Sequence, residues 1–438
     1  MIIQRNAYVE RLLSKRWNGR VKIITGIRRC GKSFLLFSLY KNRLLSEGVT
    51  EDCFVEIALD RKAHLKYRNP NALYDYILSL THDASKRFYV FIDEIQLSLR
   101  IKRDDVDEKL VADDDKDMLY TTFYDVLNDL MSHDNLDIYV TGSNSKMLST
   151  DIVTNFRDRG SEIKVFPLSF GEYYPISSME KGDAFEQYLT YGGMPSVILE
   201  NDEKEKQRYL SGLHRRVYIK DIVERYGLKD NEVLDALIDS LYSSVGSLTN
   251  MHNLANAASS LMRRNTSGHT IKKYIDYLED SYLFVAAKRY DIKGKRYFEN
   301  TQKYYAIDTG LRNAKLKFRQ QEKSHLMENI IFIELIRRGY QVDVGVVENT
   351  RIVEGKKQQS LYEIDFIVNL GSEKVYIQSA LNIDTDEKRQ QETFSLKNSG
   401  DFFKKIVIVG GNAQPWTDED GIVYMGVIPF LLDEKLLY

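Results

Sequence analysis

The chain has 438 residues, 43% of them hydrophobic, and a formal net charge of −2 at pH 7. This length suits two or three domains with substantial cores, and the near-zero charge excludes a global field that would attract nucleic acid or membranes. The 2 cysteines form no Cys-x-x-Cys motif, which argues against a disulfide scaffold and a zinc site. We expect a cytoplasmic protein with no membrane partner, because the charged N-terminus lacks the apolar core of a signal peptide and no apolar run approaches transmembrane length.

The first predicted element is a short apolar strand at residues 21–25, which leads into the sequence Gly-Ile-Arg-Arg-Cys-Gly-Lys-Ser. This is the pattern of a phosphate-binding loop, in which glycines let the backbone approach phosphate oxygens. Lys32 is predicted to reach the β- and γ-phosphates and the Ser33 hydroxyl to bind Mg²⁺. A chance glycine-rich turn is the alternative, but a strand before and a helix after the loop disfavour it. The residues predicted to contact ATP are Gly26, Ile27, Arg28, Arg29, Cys30, Gly31, Lys32, Ser33 and Phe34.

Further apolar strands are predicted at residues 53–59, 87–94, 137–142 and 162–166, with helical segments between them. Continuous apolar strands that alternate with helices indicate a parallel sheet covered on both faces. The densely charged stretch at residues 102–116 interrupts this pattern, and we interpret it as a solvated insertion.

An acidic pair, Asp93 and Glu94, closes the third predicted strand. In a phosphate-binding-loop sheet, an acidic residue at the carboxyl end of a strand holds Mg²⁺ directly or through water, so Asp93 is the candidate metal ligand. Glu94 is then placed to act as the general base that polarises the attacking water. A helix N-cap is the alternative role for such a pair, and the phosphate-binding loop makes that alternative the weaker one.

Two polar segments follow the fourth predicted strand. Ser143 or Asn144 is our candidate for a side chain that senses the γ-phosphate, with a hydrogen-bonded turn as the alternative. Arg159, and after it Arg157, are candidates for an arginine supplied to the γ-phosphate of a neighbouring subunit. Pairing with Asp151 or another nearby aspartate is an equally good explanation, so a homo-oligomer is a hypothesis that rests on these arginines alone.

Several strings together resemble one family. They are TGIRRCGKSFLL, DEIQ at residues 93–96, VTGSNSKMLSTDI, FRDRGSEIKVFPLSFGEYY, YGGMPSVIL, RRVYIKDIVERYGL, KYYAIDTGLRNA and EIDFIV. The chain resembles the bacterial and archaeal ATPases of the AAA superfamily that carry a C-terminal domain called DUF4143, and the resemblance covers nearly the whole chain. It implies ATP binding and hydrolysis, a winged-helix-like middle and a nuclease-like C-terminal fold.

Residues 247–283 have the pattern of a helix-turn-helix unit, with apolar residues at helical spacing in both halves. Basic residues accumulate here and in the hairpin-like segment that follows; they are Arg263, Arg264, Lys272, Lys273, Lys288, Arg289, Lys293, Lys295, Arg296 and Lys303. Such a surface suits contact with DNA or RNA phosphates, and we favour this slightly over a rigid spacer or a protein-docking module.

The C-terminal part has Glu328 on a predicted helix and Asp365 in a predicted strand, an order that resembles the restriction-endonuclease-like fold. That fold pairs an aspartate with a following Glu-x-Lys to bind Mg²⁺ and activate water. Here the Glu-x-Lys positions hold Gln378, Ser379 and Ala380. Because glutamine is a poorer Mg²⁺ ligand and alanine carries no charge, we predict a degenerate relative without nuclease activity.

The sequence thus predicts an α/β protein in four parts. These are a P-loop AAA ATPase domain with a parallel sheet at 1–175, a helical region at 176–245, a winged-helix-like domain at 246–318 and a DUF4143-type, restriction-endonuclease-like α/β domain at 319–438. We expect an Mg²⁺-dependent ATPase that couples ATP hydrolysis to domain motion or to binding of a partner or nucleic acid. The alternatives are a nucleotide-dependent switch with negligible turnover, a metal-dependent DNA nuclease of a defence or mobile-element system, and a scaffold that ATP merely orders.

Overall fold

The computed structural model describes residues 2–143, 160–228, 231–250, 252–256, 268–319, 322–353, 356–371 and 373–437. The chain forms two compact units, Met1–Val165 and Phe166–Tyr438, which are called the first and second unit below. The first unit ends before the predicted domain boundary at residue 175.

The first unit is built on a sheet of 5 parallel strands. Its strands are β1 (Val21–Thr25), β2 (Phe54–Ala58), β3 (Phe88–Asp93), β6 (Leu136–Thr141) and β7 (Gly160–Lys164), with a two-stranded hairpin of β4 (Ile101–Lys102) and β5 (Tyr120–Thr121) between β3 and β6. The strand order is β2-β3-β6-β1-β7, so β1 lies inside the sheet and its neighbours are β6 and β7. The predicted parallel α/β sheet is confirmed, and each strand overlaps its predicted range.

Helices and helical turns precede the first strand of this unit or lie between its strands. They are the α-helices Asn6–Ser14, Lys32–Phe34, Lys41–Ser46, Pro70–Leu80 and Phe123–Leu130, the π-helical turns Leu35–Tyr40, and the 3₁₀ turns Glu51–Cys53, Lys62–Arg68, Ile95–Leu97, Glu108–Leu110 and Asp113–Leu119. Helix Pro70–Leu80 begins with proline at its first position and is capped by Asn69, whose side chain accepts the backbone N–H of Asn71.

The side chains of the central strands alternate between the two faces of this sheet. Val90 and Ile92 pack in an aliphatic core with Leu73 and Ile77 of helix Pro70–Leu80. Phe91 points to the opposite face, which is aromatic and includes Tyr40 and Tyr139. Since burying each large apolar side chain contributes about 1.5–3 kcal/mol, both covered faces stabilise the strands that carry the candidate site.

The predicted charged insertion is mostly exposed, as expected, and it has local structure. Its ends are joined by the β4–β5 hairpin, in which Ile101 pairs with Thr121. Exposed ion pairs within it, such as Arg103 with Asp105 and Lys102 with Glu108, contribute little stability because water screens them.

The second unit combines helices with a larger sheet. Its helices are Phe170–Ser177, Lys181–Tyr191, Pro195–Ile198, Glu203–Leu213, Lys220–Tyr226, Asn231–Ser243, Gly268–Asp280, Thr309–Lys315, Lys323–Arg337, Asp386–Lys397 and Val427–Leu432, with π-helical turns at His214–Ile219. The predicted helical region at 176–245 therefore consists of helices as the structure describes it.

The sheet of the second unit has 9 strands and is mixed, with both parallel and antiparallel pairs. The strands are β8 (Leu248–Asn250), β9 (Phe284–Asp291), β10 (Arg296–Ala306), β11 (Gln341–Val353), β12 (Lys356–Leu370), β13 (Glu373–Ala380), β14 (Lys404–Val409), β15 (Trp416–Thr417) and β16 (Val423–Gly426). Their order is β15-β16-β14-β13-β12-β11-β9-β10-β8.

The predicted boundary at residue 318 falls inside this sheet. Strand β9, which precedes the boundary, pairs in parallel with β11, which follows it, so that Gly345 lies opposite Tyr290. Helix Lys323–Arg337 packs its buried residues, among them Ile331 and Leu335, into the core of the same sheet. Residues 246–318 and 319–438 therefore share one hydrophobic core, whereas the sequence pattern suggested two domains.

The second helix of the predicted helix-turn-helix unit is present as Gly268–Asp280, which buries Ile271, Ile275 and Leu278. Most of the predicted first helix, including Ala257 and Leu261, lies outside the described residues. A winged-helix fold for this segment stays a prediction. Among the described residues, no helix is long and apolar enough to cross a membrane.

Candidate functional site

The loop between β1 and the following helix has backbone angles that require glycine. Gly26 has a φ of 138° and Gly31 a φ of 97°, both in a region that side chains rarely tolerate. A Cβ atom at Gly26 would lie 2.1 Å from the carbonyl oxygen of Val165, a backbone atom that cannot move away. Gly26 is therefore needed for the packing of the loop against the segment after β7, in addition to its predicted role toward phosphate.

Lys32 extends back across this loop. Its ammonium donates hydrogen bonds to the carbonyl oxygens of Gly26, at 2.9 Å, and Ile27, at 3.0 Å. The residue is 4% exposed. The structure thus brings together the glycine and the lysine of the predicted motif and fixes a positive charge at the loop.

The other loop residues divide into buried and exposed ones. Cys30 is buried with its Sγ 3.5 Å from the carbonyl oxygen of Val165, so its side chain packs beneath the loop. Arg5 donates to the carbonyl oxygen of Cys30 at 3.0 Å and so anchors the loop from below. Arg29, Ser33 and Phe34 are exposed and accessible to a ligand.

Two hydroxyl groups meet the carboxylate at the end of β3. The Ser33 hydroxyl donates to Oδ1 of Asp93 at 3.0 Å, and the Thr141 hydroxyl, at the end of β6, donates to the same oxygen. Hydroxyl and carboxylate oxygens are the ligands that Mg²⁺ prefers. The predicted metal ligands Ser33 and Asp93 are therefore adjacent, as parallel strands with a common carboxyl edge require.

Glu94 follows Asp93 in a strained conformation. Its φ of 54° lies in the left-handed region, which costs free energy for a residue other than glycine and is one feature that clusters at functional sites. The backbone N–H of Glu94 donates to the Thr141 hydroxyl at 3.0 Å. The Glu94 carboxylate lies close enough to the Lys32 ammonium of the loop for the two charges to interact.

The Glu94 carboxylate accepts a hydrogen bond from the side-chain amide of Gln96, and this amide also donates to the Ser143 hydroxyl at 3.4 Å. Burial raises the pKa of Glu94, the Lys32 ammonium lowers it, Asp93 raises it, and the Gln96 hydrogen bond lowers it again, with a raised pKa as the net result. A carboxylate with a raised pKa is a better proton acceptor in catalysis.

Sequence reasoning missed the roles of Gln96 and Thr141. Thr141 is a polar residue at the carboxyl end of β6, a signal that marks it as a candidate. Gln96 lies two residues after Glu94 in a 3₁₀ turn, and only the geometry of that turn places its amide on the carboxylate.

Of the predicted γ-phosphate sensors and arginines, the structure describes only Ser143. Ser143 is buried beside Gln96. Asn144, Arg157 and Arg159 lie outside the described residues, so their predicted roles stay predictions.

The predicted nucleic-acid surface of the second unit is partly described. Lys272 and Lys273 are exposed on helix Gly268–Asp280, and Lys293 and Lys295 are exposed in the turn between β9 and β10. Arg263 and Arg264 lie outside the described residues. Contact with DNA or RNA stays a prediction.

Two family models match the chain. The model described as "AAA domain" matches residues 18–174, which contain the loop, Asp93 and Glu94. The model described as "Domain of unknown function (DUF8612)" matches residues 182–322. The predicted AAA domain is confirmed, whereas the predicted DUF4143 domain is not, because the second match is to a different model.

Relatives that match most of the chain exist in a bacterium and an archaeon. An uncharacterized protein of Haemophilus influenzae is 32% identical over 436 residues, which cover 98% of this chain and 99% of the relative. An uncharacterized protein of Methanocaldococcus jannaschii is 27% identical over 391 residues, covering 85% of this chain and 77% of the relative.

A solved structure, Cdc6p from Pyrobaculum aerophilum, is similar over 75% of this chain and 96% of that chain, at 12% identity and a TM-score of 0.29. A score this low supports no argument about function.

Proposed function

The chain belongs to the same protein family as the Haemophilus influenzae protein, and we propose that its first unit binds ATP together with Mg²⁺ and hydrolyses the ATP. The AAA domain match supports nucleotide binding by this unit. The assignment of hydrolysis and of individual roles is our own.

One observation carries the proposal. The hydroxyl of Ser33 and the carboxylate of Asp93 are 3.0 Å apart, although 60 positions separate them in the sequence, and Lys32 and Glu94 flank this pair. A cation for phosphate, a ligand pair for Mg²⁺ and a carboxylate for water are the parts that phosphoryl transfer to water needs.

Ser33 and Asp93 would hold Mg²⁺, since their donor set of a hydroxyl and a carboxylate suits this ion. When bound, Mg²⁺ neutralises the negative charge of the β- and γ-phosphates. Thr141 supports the site from behind, because its hydroxyl orients the Asp93 carboxylate and also accepts the N–H of Glu94.

Lys32 then acts on the phosphate groups of ATP, and Glu94 acts on the attacking water. The Lys32 ammonium exchanges the carbonyl oxygens of Gly26 and Ile27 for phosphate oxygens, which bind it more strongly because the phosphate is charged. Glu94 accepts the proton of the attacking water, and Gln96 holds the Glu94 carboxylate in position.

The direct test replaces the loop lysine. Lys32→Ala is expected to weaken ATP binding about 10–100-fold, the loss of a hydrogen bond to a charged group. Binding is measured by isothermal titration calorimetry with Mg-ATP, and turnover by release of phosphate. Lys86→Ala serves as the matched control, because Lys86 is half-exposed and pairs with Asp52 away from the loop.

Two outcomes of this test are decisive. Unchanged ATP affinity in Lys32→Ala would refute the proposed binding site. Tight ATP binding by the wild type without turnover above background would refute hydrolysis and identify a nucleotide-dependent switch.

A second prediction concerns Gln96 as a positioning residue. Because its hydrogen bond lowers the pKa of Glu94, Gln96→Leu is expected to raise that pKa further. The base is active only when ionised, so the acidic limb of the kcat–pH profile should move to higher pH, and kcat at pH 7 should fall about tenfold. A loss of kcat with an unshifted pH profile would mean that Gln96 has only a structural role. Gln187→Leu, which alters a glutamine of the second unit, is the control.

A further inference from the structure

The second unit contains a buried ammonium group surrounded by carboxylates. Nζ of Lys303, on β10, lies 2.6 Å from Glu363 Oε1, 2.9 Å from Glu328 Oε1 and 3.6 Å from Asp365 Oδ1. The Lys303 side chain is only 4% exposed. Tyr305 adds a hydrogen bond from its hydroxyl to Glu328 Oε1 at 2.8 Å. A helix and a strand thus direct three carboxylates at one cation.

One of these carboxylates, Asp365, is the aspartate that resemblance to a restriction-endonuclease-like fold would assign to Mg²⁺, and Glu328 lies on the helix that precedes it in the same predicted order. The glutamate position of the Glu-x-Lys motif holds Gln378, whose amide is engaged within the protein: Oε1 accepts the N–H of Asp365 at 3.4 Å and Nε2 donates to Glu392 at 3.5 Å. Among the described residues, no group of three or more His, Cys, Asp or Glu side chains has the arrangement to hold a metal ion. The residues present do not fit the ion.

Electrostatics explain why the cluster excludes a divalent cation. Mg²⁺ needs oxygen ligands at about 2.0–2.1 Å, so an ion on the oxygens that face Lys303 would lie within a few ångströms of its ammonium. Burial alone would lower the pKa of Lys303, but Glu328, Asp365 and Glu363 raise it above its usual value, so the lysine remains charged. The repulsion between the two cations in a buried site is large.

We infer that Lys303 is the resident cation of this cluster, that it takes the place of a divalent metal, and that the second unit therefore does not hydrolyse phosphodiesters with metal assistance. The cluster is an ion-pair network that joins β10, β12 and helix Lys323–Arg337. This inference concerns a different unit from the proposed ATPase site and does not depend on it.

The test uses Mn²⁺ as a probe, with free Mn²⁺ measured by electron paramagnetic resonance on the full chain without nucleotide. All proteins carry Asp93→Asn, so that the first unit lacks its metal ligand. The protein with Lys303 is expected to show no Mn²⁺ binding that depends on Asp365. Lys303→Met is expected to gain one Mn²⁺ site, which binds the ion about tenfold or more tightly than the same position does in the protein with Lys303. Adding Asp365→Asn to Lys303→Met should remove that site.

Controls and a second measurement make the result decisive. Lys288→Met, which removes an exposed lysine from the neighbouring strand, should gain no site. Lys303→Met should also melt at a higher temperature in Mn²⁺ than without it, whereas the protein with Lys303 should not. The inference is overturned if the protein with Lys303 binds Mn²⁺ in a manner abolished by Asp365→Asn, or if folded Lys303→Met gains no site. The first of these outcomes is measurable even if Lys303→Met does not fold.

Discussion

A Glu94→Gln variant is expected to lose about 10²–10⁴-fold in ATP turnover while it binds ATP at least as tightly as the wild type. Glutamine has the same shape as glutamate, and its carbonyl oxygen can still accept the hydrogen bond from Gln96. It cannot take a proton from water. Removal of the negative charge of Glu94 also removes its repulsion of the ATP phosphates, so the affinity for ATP should not fall.

Phosphate release and ATP affinity must be measured on the same protein samples to separate chemistry from binding. Glu51→Gln is a matched control in the first unit, because the Glu51 side chain is 70% exposed. The wild type should lose activity as the pH falls through the raised pKa of Glu94, whereas the residual activity of Glu94→Gln should lack this acidic limb. Equal turnover in Glu94→Gln and wild type would remove Glu94 from the role of general base.

The first unit was predictable because its signals are local. The buried strands are rich in apolar residues, and the phosphate-binding loop must follow one of them. The meeting of Ser33 and Asp93 then follows from the geometry of parallel strands, whose carboxyl ends lie at one edge. Which polar strand ends meet, as Thr141 meets Asp93, depends on strand order, which local patterns do not contain.

The second unit shows the limit of the same reasoning. The helix predicted to carry Glu328 and the strand predicted to carry Asp365 are present, as Lys323–Arg337 and β12, because their periodicity is local. The parallel pairing of β9 with β11 joins segments that the sequence pattern assigned to separate domains. Lys303 illustrates the consequence: it was counted among basic residues of a nucleic-acid surface, whereas the pairing of β10 in this sheet buries it against Glu328.

The buried pair of Lys22 and Asp137 leads to a prediction about stability. Lys22, on β1, is 0% exposed and its ammonium forms an ion pair with Asp137 on β6. Asp137 also accepts hydrogen bonds from the Tyr139 hydroxyl at 2.7 Å and from the backbone N–H of Trp17 at 3.2 Å. Tyr40 completes the network through its hydroxyl, 2.6 Å from that of Tyr139. The network joins the strand before the phosphate-binding loop to the strand that carries Thr141.

Lys22→Met is expected to lower the free energy of unfolding by about 3–5 kcal/mol, because it leaves Asp137 buried without a counter-charge. The double variant Lys22→Met/Asp137→Leu should recover part of this loss, since no charge then remains buried. Urea unfolding followed by tryptophan fluorescence is suitable, because Trp17 contacts Asp137 directly.

The matched control is Lys86→Met, which breaks an exposed pair with Asp52 whose side chains are 48% and 57% exposed. It should change the free energy of unfolding by less than about 1 kcal/mol, as exposed pairs do. Equal losses in Lys22→Met and Lys86→Met would show that burial does not strengthen the Lys22–Asp137 pair. The Lys22–Asp137 pair joins β1 to β6 in the register that places Lys22 opposite Tyr139. A slip of β6 by one residue would move the Thr141 side chain to the other face of the sheet, away from Asp93. Loss of the pair should therefore also weaken ATP binding.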